Sequence, residues 1–342
     1  MIRSIADLGM LEDLLSEPTA AVVETMRRLE GDLVFLGVGG KMGPTMARMA
    51  RRASDLAGVR RKIYGVARFS SPELPERLQS MGIEPLRCDL LDPQQAAKLP
   101  EVPNVVSMCG MKFGASQHAA LTWAMNCLVP ANICQKYRHS RIVAFSSGNV
   151  YGLTPVCRGG SVESDPPTPV GEYAMSAVGR ERMYEHFSLQ LGIPTVLVRL
   201  NYACELRYGV LVDLAQRVLA GETIDLAMGN LNTIWQGDAN AMTLALFDHV
   251  SSPAAIMNIT GPETLSVRWL CEQFATRFGT TVSFIGTEAP DALLNNAQRA
   301  ISKFGYPRVG IEQLIDWIAD WLNRGGATLG KPTHFESREG KF

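Results

Sequence analysis

Surplus charge is the first thing this chain does without. Its 342 residues carry 33 Lys and Arg against 34 Asp and Glu, a formal net charge of -1. Such a balance leaves no cationic excess to neutralise a phosphate backbone, so nucleic-acid binding is not expected. The basic groups Arg51-Arg52 and Arg60-Arg61-Lys62 are short and suit a solvated helix end or loop. Long apolar runs are missing too: nothing approaches the roughly 20 residues that a spanning helix needs, and no membrane association is expected. The opening MIRSIADLGMLEDLL carries acidic residues and no apolar core, so no export signal is expected there. Seven cysteines, at 88, 109, 127, 134, 157, 204 and 271, are dispersed and form no Cys-x-x-Cys pair. Reduced thiols and a cytoplasmic location follow as the expectation. Five scattered histidines form no His-x-x-x-His or His-x-Glu grouping, and no metal site is expected.

What the chain does have is an ordinary globular composition, 46% hydrophobic and 20% charged, at a length that suits two intimately joined domains. The stretch Asp32 to Arg52 organises the rest. An apolar run Leu33-Val34-Phe35-Leu36 of strand character meets Gly37, Gly39, Gly40 and Gly43, and then a segment with Met46, Met49 and Ala50 at helical spacing. A strand, a glycine turn and a helix form a cradle for a dinucleotide pyrophosphate, because orphan N–H groups and the helix dipole favour negative charge where no Cβ holds it off. Gly37-x-x-Gly40-x-x-Gly43 differs by one position from the commonest spacing. Gly37, Gly39, Gly40, Lys41, Met42 and Gly43 are the first cofactor-binding candidates.

Further strands follow at Lys62 to Arg68, Glu84 to Cys88, Asn104 to Met108, Arg141 to Phe145 and Ile193 to Arg199, alternating with helical segments. That alternation predicts an α/β fold, a Rossmann-type doubly wound parallel sheet with a smaller C-terminal substrate-binding lobe, its ligand at the carboxyl ends of the strands. At the end of the second strand stands Arg68, with no acid until Glu73. Arg suits a 2′-phosphate and a carboxylate suits a free ribose hydroxyl, so NADP is favoured over NAD. His118 to Tyr137 reads as one long helix interrupted by Asn126, and Tyr173 opens another that runs to Leu189.

These parts, in this order, resemble the extended short-chain dehydrogenase/reductase family, the NAD-dependent epimerase/dehydratase group. The resemblance rests on the glycine turn, Cys88-Asp89-Leu90, Asn126, Phe145-Ser146-Ser147-Gly148-Asn149-Val150-Tyr151-Gly152 and Tyr173-Ala174-Met175-Ser176. Asp238, Asn258 to Val267 and Lys303-Phe304-Gly305-Tyr306-Pro307 extend it towards the carboxyl end. It implies that Ser147 orients a substrate oxygen and that Tyr173 exchanges its proton while a hydride moves to or from a nicotinamide. It also implies cofactor contacts for Asp89, Leu90, Cys109, Gly110 and Asn126, and a homodimer built on the helices from Gln117 to Tyr137 and from Tyr173 to Leu189. The family's Lys four residues after the Tyr is replaced here by Ala177. An unperturbed Tyr has a pKa near 10 and is ionised about one time in a thousand at pH 7, so carbonyl reduction should suffer less than alcohol oxidation. Lys112 and Arg180 are candidate replacement charges.

Lys112, Asn149, Asn201 and Arg207 are candidate substrate contacts, although Arg199-Leu200-Asn201 places its Asn one position earlier than the family's Arg-Pro-x-Asn. The segment Asp225 to Asp238 lacks the basic side chains that hold a second pyrophosphate, so a sugar acid, keto acid or other polyhydroxy compound stands beside a nucleotide sugar. The expected division is an N-terminal helical extension at 1–30 with a helix from Pro18 to Leu29, a dinucleotide domain at 31–200 to which 233–260 returns, a substrate lobe over 201–325, and a polar, irregular tail at 326–342. The expected function is an NAD(P)-dependent oxidoreductase or epimerase acting on a hydroxyl or carbonyl of a carbohydrate-like small molecule. The alternatives are a cofactor-binding regulatory or scaffold protein, and a lyase or dehydratase with tightly held NAD(P).

Overall fold

Leu33–Leu36 form strand β1, and all four side chains are completely buried, as a central parallel strand covered on both faces requires. Around it stand β2 (Ile63–Ala67), β3 (Glu84–Arg87), β4 (Asn104–Ser107), β5 (Arg141–Phe145), β6 (Thr195–Leu200) and β7 (Ala255–Ile259), in a computed structural model that describes residues 3–112, 114–115 and 117–340. The first two residues of the expected extension and the last two of the expected tail lie outside the described residues. The order is β7-β6-β5-β4-β1-β2-β3 and every pairing is parallel. The direction of winding reverses between β1 and β4, which opens a crevice at their carboxyl ends. Leu36 lies opposite Ser107, and Ser107 opposite Ala144, so Gly37, Met108 and Phe145 stand side by side at the carboxyl edge of the sheet.

Helices Ala20–Arg28, Gly43–Leu56 and Gln236–Ala245 cover one face through Val22, Met26, Met46, Met49, Ala50 and Met242. The other face is covered from Ile133, Cys134 and Tyr137 and from Tyr184 of helix Gly171–Leu191. A separate core forms the second lobe, where Val210–Leu219, Val267–Phe278 and Ile311–Asn323 pack together and Trp235 meets Trp317 edge-on at 5.5 Å. Helix Leu8–Leu15 joins this second core through the fully buried Leu11 and Leu15, whereas Ala20–Arg28 joins the sheet.

The helix expected from His118 to Tyr137 is broken in the middle. Ala119–Trp123 and Val129–Lys136 are α-helical, and Ala124–Leu128 between them is a π-turn. Pro130 has no N–H to give the Asn126 carbonyl four residues back, and a wider turn absorbs the defect. The turn carries Asn126 inwards, where it is wholly buried and not solvent-facing. The tail beyond Gly325 contains no helix or strand among the described residues, yet it is pinned along its length. Leu329 N–H donates to the Arg207 carbonyl at 2.9 Å, and the Thr333 N–H donates to Asp213 at 2.7 Å. Phe335 is buried, and Arg338 reaches the carbonyls of Ala227 and Asp291, each at 3.1 Å.

One buried ion pair ties the long helix to the sheet. Arg199 of β6 donates from Nε and Nη2 to the two oxygens of Glu181 at 2.9 and 2.7 Å, and the Ser146 hydroxyl donates to Oε1 at 2.5 Å. Neither charged side chain is more than 2% exposed. Removing one partner strands the other in an apolar interior, a loss of about 3–5 kcal/mol. Glu181→Ala should therefore lower the unfolding free energy measured in urea by that amount, and Glu181→Leu combined with Arg199→Met should cost less than the single change. A double variant as unstable as the single one would mean that the pair holds the helix by more than its charges.

Candidate active site

The glycine turn is shaped by two clashes that it avoids. A Cβ at Gly43 would stand 2.1 Å from the Val38 carbonyl oxygen, and Gly37, at φ +83°, would bring one within 3.0 Å of the Cys109 sulfur. Gly40 is different, since its nearest neighbour would be the Gly37 oxygen at 3.6 Å. There the missing side chain relieves no contact within the protein and leaves the peptide edge open to the cleft. Helix Gly43–Leu56 begins just beyond with no side-chain cap, so no side chain takes up its first N–H groups, although Pro44 contributes none.

The cleft has a volume of about 430 Å³. Of the expected site residues it brings together Gly37, Gly39, Gly40, Lys41, Met42, Gly110, Lys112, Ser147, Asn149, Tyr173 and Asn201. Ser147 donates to Asn149 Oδ1 at 3.0 Å and accepts from its N–H at 3.2 Å, which fixes the hydroxyl at the end of β5. Tyr173 lies in the first turn of helix Gly171–Leu191 and is 8% exposed. Asn201 spends its amide on Asn232 Oδ1 at 2.8 Å.

Gly43, Arg68, Asp89, Leu90, Cys109, Asn126 and Arg207 do not line this cleft. Arg68 and Asp89 sit just past the ends of β2 and β3. Burial pushes the Cys109 thiol up to about 12, so it stays protonated. Asn126 instead holds the loop after β4: it accepts from Met111 N–H at 3.1 Å and donates to Ser176 Oγ at 2.7 Å. Arg207 is held by Glu205 at 2.9 Å and lines a neighbouring hollow with Ser71 and Arg77.

Position 177, where the resemblance puts a lysine, is occupied by packing. Ala177 is completely buried against Val150 and Tyr151. Arg180, one of the two candidate replacements, is taken elsewhere: it donates to the Phe145 carbonyl at 3.1 Å and to Asn126 Oδ1, and a Cβ on Gly110 would overlap it at 2.1 Å. Lys112 does reach the cleft. Its Nζ lies 5.8 Å from the centre of the Tyr173 ring and donates to the Thr333 carbonyl at 3.3 Å. Burial lowers its pKa to about 8, against the pull of Asp213 and Glu336. Lys41 lies 3.2 Å from the centre of the Tyr208 ring, and burial, then Lys331 and Lys112, lower its pKa to about 7 against Asp213.

Sequence reasoning missed Tyr202 and Gln236, and it missed Lys331 and Thr333 of the tail, all of which line the cleft. No periodicity marks them. No helix among the described residues is long and apolar enough to cross a membrane, and no group of His, Cys, Asp and Glu there could hold a metal.

Residues 33–229, more than half of the chain, match the family model described as the NAD dependent epimerase/dehydratase family. The chain belongs to this family. No curated protein sequence is significantly similar to it. Among solved structures it is similar to the UDP-glucuronic acid 4-epimerase from Bacillus cereus in complex with NAD, at 17% identity and a TM-score of 0.69, covering 86% of this chain and 97% of that one. It is similar to the UDP-glucose 4-epimerase from Thermus thermophilus in complex with NAD, at 18% identity and a TM-score of 0.67, with 86% and 99% covered. The dTDP-glucose 4,6-dehydratase from Bacillus anthracis in complex with NAD gives 16% identity and a TM-score of 0.69, with 86% and 97% covered. At these identities the likeness is one of fold.

The depressed lysines give this family member a pH signature. Lys41 faces Lys331 and Asp213 as well as Lys112 and Tyr208, and on balance the folded chain releases its proton before the unfolded chain does. The unfolded state then binds more protons between about pH 7 and 10, and stability rises with pH across that window. Lys41→Met should be more thermostable than the parent near pH 6.5, with the difference shrinking towards pH 10. A difference independent of pH would show that Lys41 keeps its charge without penalty.

Proposed function

We propose that this protein is an NAD(P)-dependent epimerase or oxidoreductase acting on a hydroxyl or carbonyl of a carbohydrate-like substrate. One observation carries the reading: a single cleft joins the open peptide edge of the glycine turn to Ser147 and Tyr173. The bare edge at Gly40 and the uncapped helix suit a dinucleotide pyrophosphate, so Gly37, Gly39, Gly40, Lys41 and Met42 would hold it. A bound nicotinamide would supply or accept the hydride. The solved relatives named above carry NAD, which supports that cofactor class; Arg68, with Arg87 donating to its carbonyl at 2.6 Å, favours the 2′-phosphate of NADP.

Within this reading Ser147 holds the substrate oxygen and Tyr173 exchanges the proton. A phenol at neutral pH is already the acid that carbonyl reduction needs, whereas alcohol oxidation needs a phenolate and hence a nearby cation. Ala177 cannot supply one. Lys112, with its Nζ 5.8 Å from the centre of the Tyr173 ring, supports a cation supplied from the loop after β4. The buried Ala177 is also what favours the second reading, a nucleotide-binding protein without hydride transfer. Exposed Leu121, Trp123, Leu128 and Met175, on the helical segments around the π-turn and the tyrosine, support a homodimer through that surface. Seven free cysteines support a reducing, cytoplasmic setting.

Tyr173→Phe should reduce turnover on a panel of sugars, sugar acids and ketoses by about 100-fold or more while calorimetric cofactor affinity stays level. Unchanged turnover would reject the assignment, and cofactor binding with no turnover by the parent across the panel would favour the second reading. Arg68→Asp should turn a preference for NADP over NAD into the reverse in the same calorimetry; equal preferences before and after would remove Arg68 from the site.

A further inference from the structure

Beyond the last helix the chain runs as a strap that lies between two spaces. Lys331 and Thr333 line the cleft. Lys331 also lines a separate hollow of about 190 Å³, together with Gly330, Pro332 and Phe335 of the strap and with Arg207 and Arg217 of the second lobe. This passage is fastened before, within and after. Leu329 N–H donates to the Arg207 carbonyl at 2.9 Å, and Phe335 is buried. Between them Asp213 Oδ2, on helix Val210–Leu219, accepts from both the N–H and the hydroxyl of Thr333, at 2.7 and 2.5 Å. Further on, Gly340 packs against the start of the helix that carries Tyr173, where a Cβ on Gly171 would stand 2.4 Å from the Gly340 carbonyl oxygen. The strap therefore spans from the second lobe to the tyrosine helix and walls the cleft as it goes.

Two observations bear on what the walled cleft can hold. The first is size. Pockets that bury one drug-sized ligand have about 300–1,000 Å³, and the cleft, at about 430 Å³, lies low in that range. Part of it, along the glycine turn, belongs to the dinucleotide. What remains beside Ser147 and Tyr173 suits a single ring with its substituents and not a second nucleotide. The second observation is where the basic side chains stand. A substrate pyrophosphate would need guanidinium or ammonium groups of its own. Among the described residues that line the cleft, none from Leu200 to Gln236 is Lys or Arg. Arg207 and Arg217, which this part of the chain does supply, line the hollow beyond the strap, paired with Glu205 at 2.9 Å and with Glu222 at 3.2 Å.

We propose that the strap restricts the cleft to polyhydroxy substrates of monosaccharide size and excludes nucleotide sugars. Residues 330–335 are then the element that determines specificity, because they fill the passage from Tyr173 towards Arg207 and Arg217 along which a nucleoside diphosphate would extend. The inference rests on the proposed function of the cleft and narrows its substrate class.

The test pairs calorimetry of UDP-glucose on protein saturated with NAD+ or NADP+, whichever binds more tightly, with product chromatography. The compounds assayed for turnover are free sugars, sugar acids and ketoses on one side, and UDP-glucose, UDP-glucuronate and dTDP-glucose on the other. The parent should bind UDP-glucose no more tightly than about 1 mM and turn over compounds of the first class alone. Phe335→Ala unseats the strap without altering a residue that lines the cleft. It should bind UDP-glucose at least about tenfold more tightly than the parent, with cofactor affinity within about twofold. Thr333→Val, which removes one of the two bonds to Asp213, should shift the affinity the same way by less, and it replaces Phe335→Ala should that variant fail to fold. Binding of UDP-glucose to the parent tighter than about 1 mM, or turnover of any nucleotide sugar, overturns the proposal and leaves the assigned chemistry standing. Equally weak binding by the parent and the unseated variant also overturns it, since the strap would then select nothing. Absence of turnover with every compound of both classes overturns it together with the proposed function.

Discussion

The ion pair between Glu181 and Arg199 is the constraint from which the geometry of the cleft descends. It joins a helix to a strand in a place where neither charge can be hydrated, and so it holds only when both are present and correctly turned. Ser146 shares a Glu181 oxygen, which fixes the end of β5, and the next residue is Ser147. Eight residues before Glu181 on the same helix is Tyr173, so one carboxylate sets the position of both groups given to chemistry. Arg199 Nη1 has no hydrogen-bond acceptor among the described residues. The guanidinium lies 4.5 Å from the centre of the Tyr151 ring, whose hydroxyl in turn donates to Asn258 at 2.9 Å. The network thus runs from the helix through β6 to the edge strand β7.

Against that rigid frame, Ala177 contributes packing and no charge: it is buried between the helix and Val150-Tyr151. The lysines that line the cleft come from the glycine turn, the loop after β4 and the tail. Arg180 has become structural, bridging the end of β5 to the π-turn through Asn126.

The sheet was legible because strands buried on both faces must be apolar throughout: Leu33 to Leu36 and Ile142 to Phe145 announce themselves without context. The glycines at 37 and 43 were legible because steric exclusion admits nothing else there, and Ser147 and Tyr173, which line the cleft, were singled out through the resemblance of their motifs to the family's. The π-turn was not, since it needs Pro130 to remove a donor and a buried Asn126 to find partners 15 and 50 residues away. Helix Leu8–Leu15 was hidden for a similar reason: Leu11 and Leu15 complete a core whose other members, apart from Ile5, begin near residue 204. The tail gave no signal at all, because it is fixed by individual polar contacts to distant residues and by a single buried ring.

The amino-terminal helices have a mechanical consequence. Leu11 and Leu15 are sunk in the core of the second lobe, Val22 and Met26 are sunk against the sheet, and only the short joint 16–19 lies between them. Asn240 fastens that joint by donating to the Leu15 carbonyl at 3.1 Å, and Arg52 grips the Asp13 carbonyl at 2.7 Å. Drawing the lobes apart on this side means extracting whole aliphatic side chains, each worth about 1.5–3 kcal/mol. Residues 8–28 therefore act as a rivet between the two cores, and Arg324 ties the end of the last helix to the residues just ahead of them by donating to the Ile5 and Ala6 carbonyls at 2.7 and 3.1 Å.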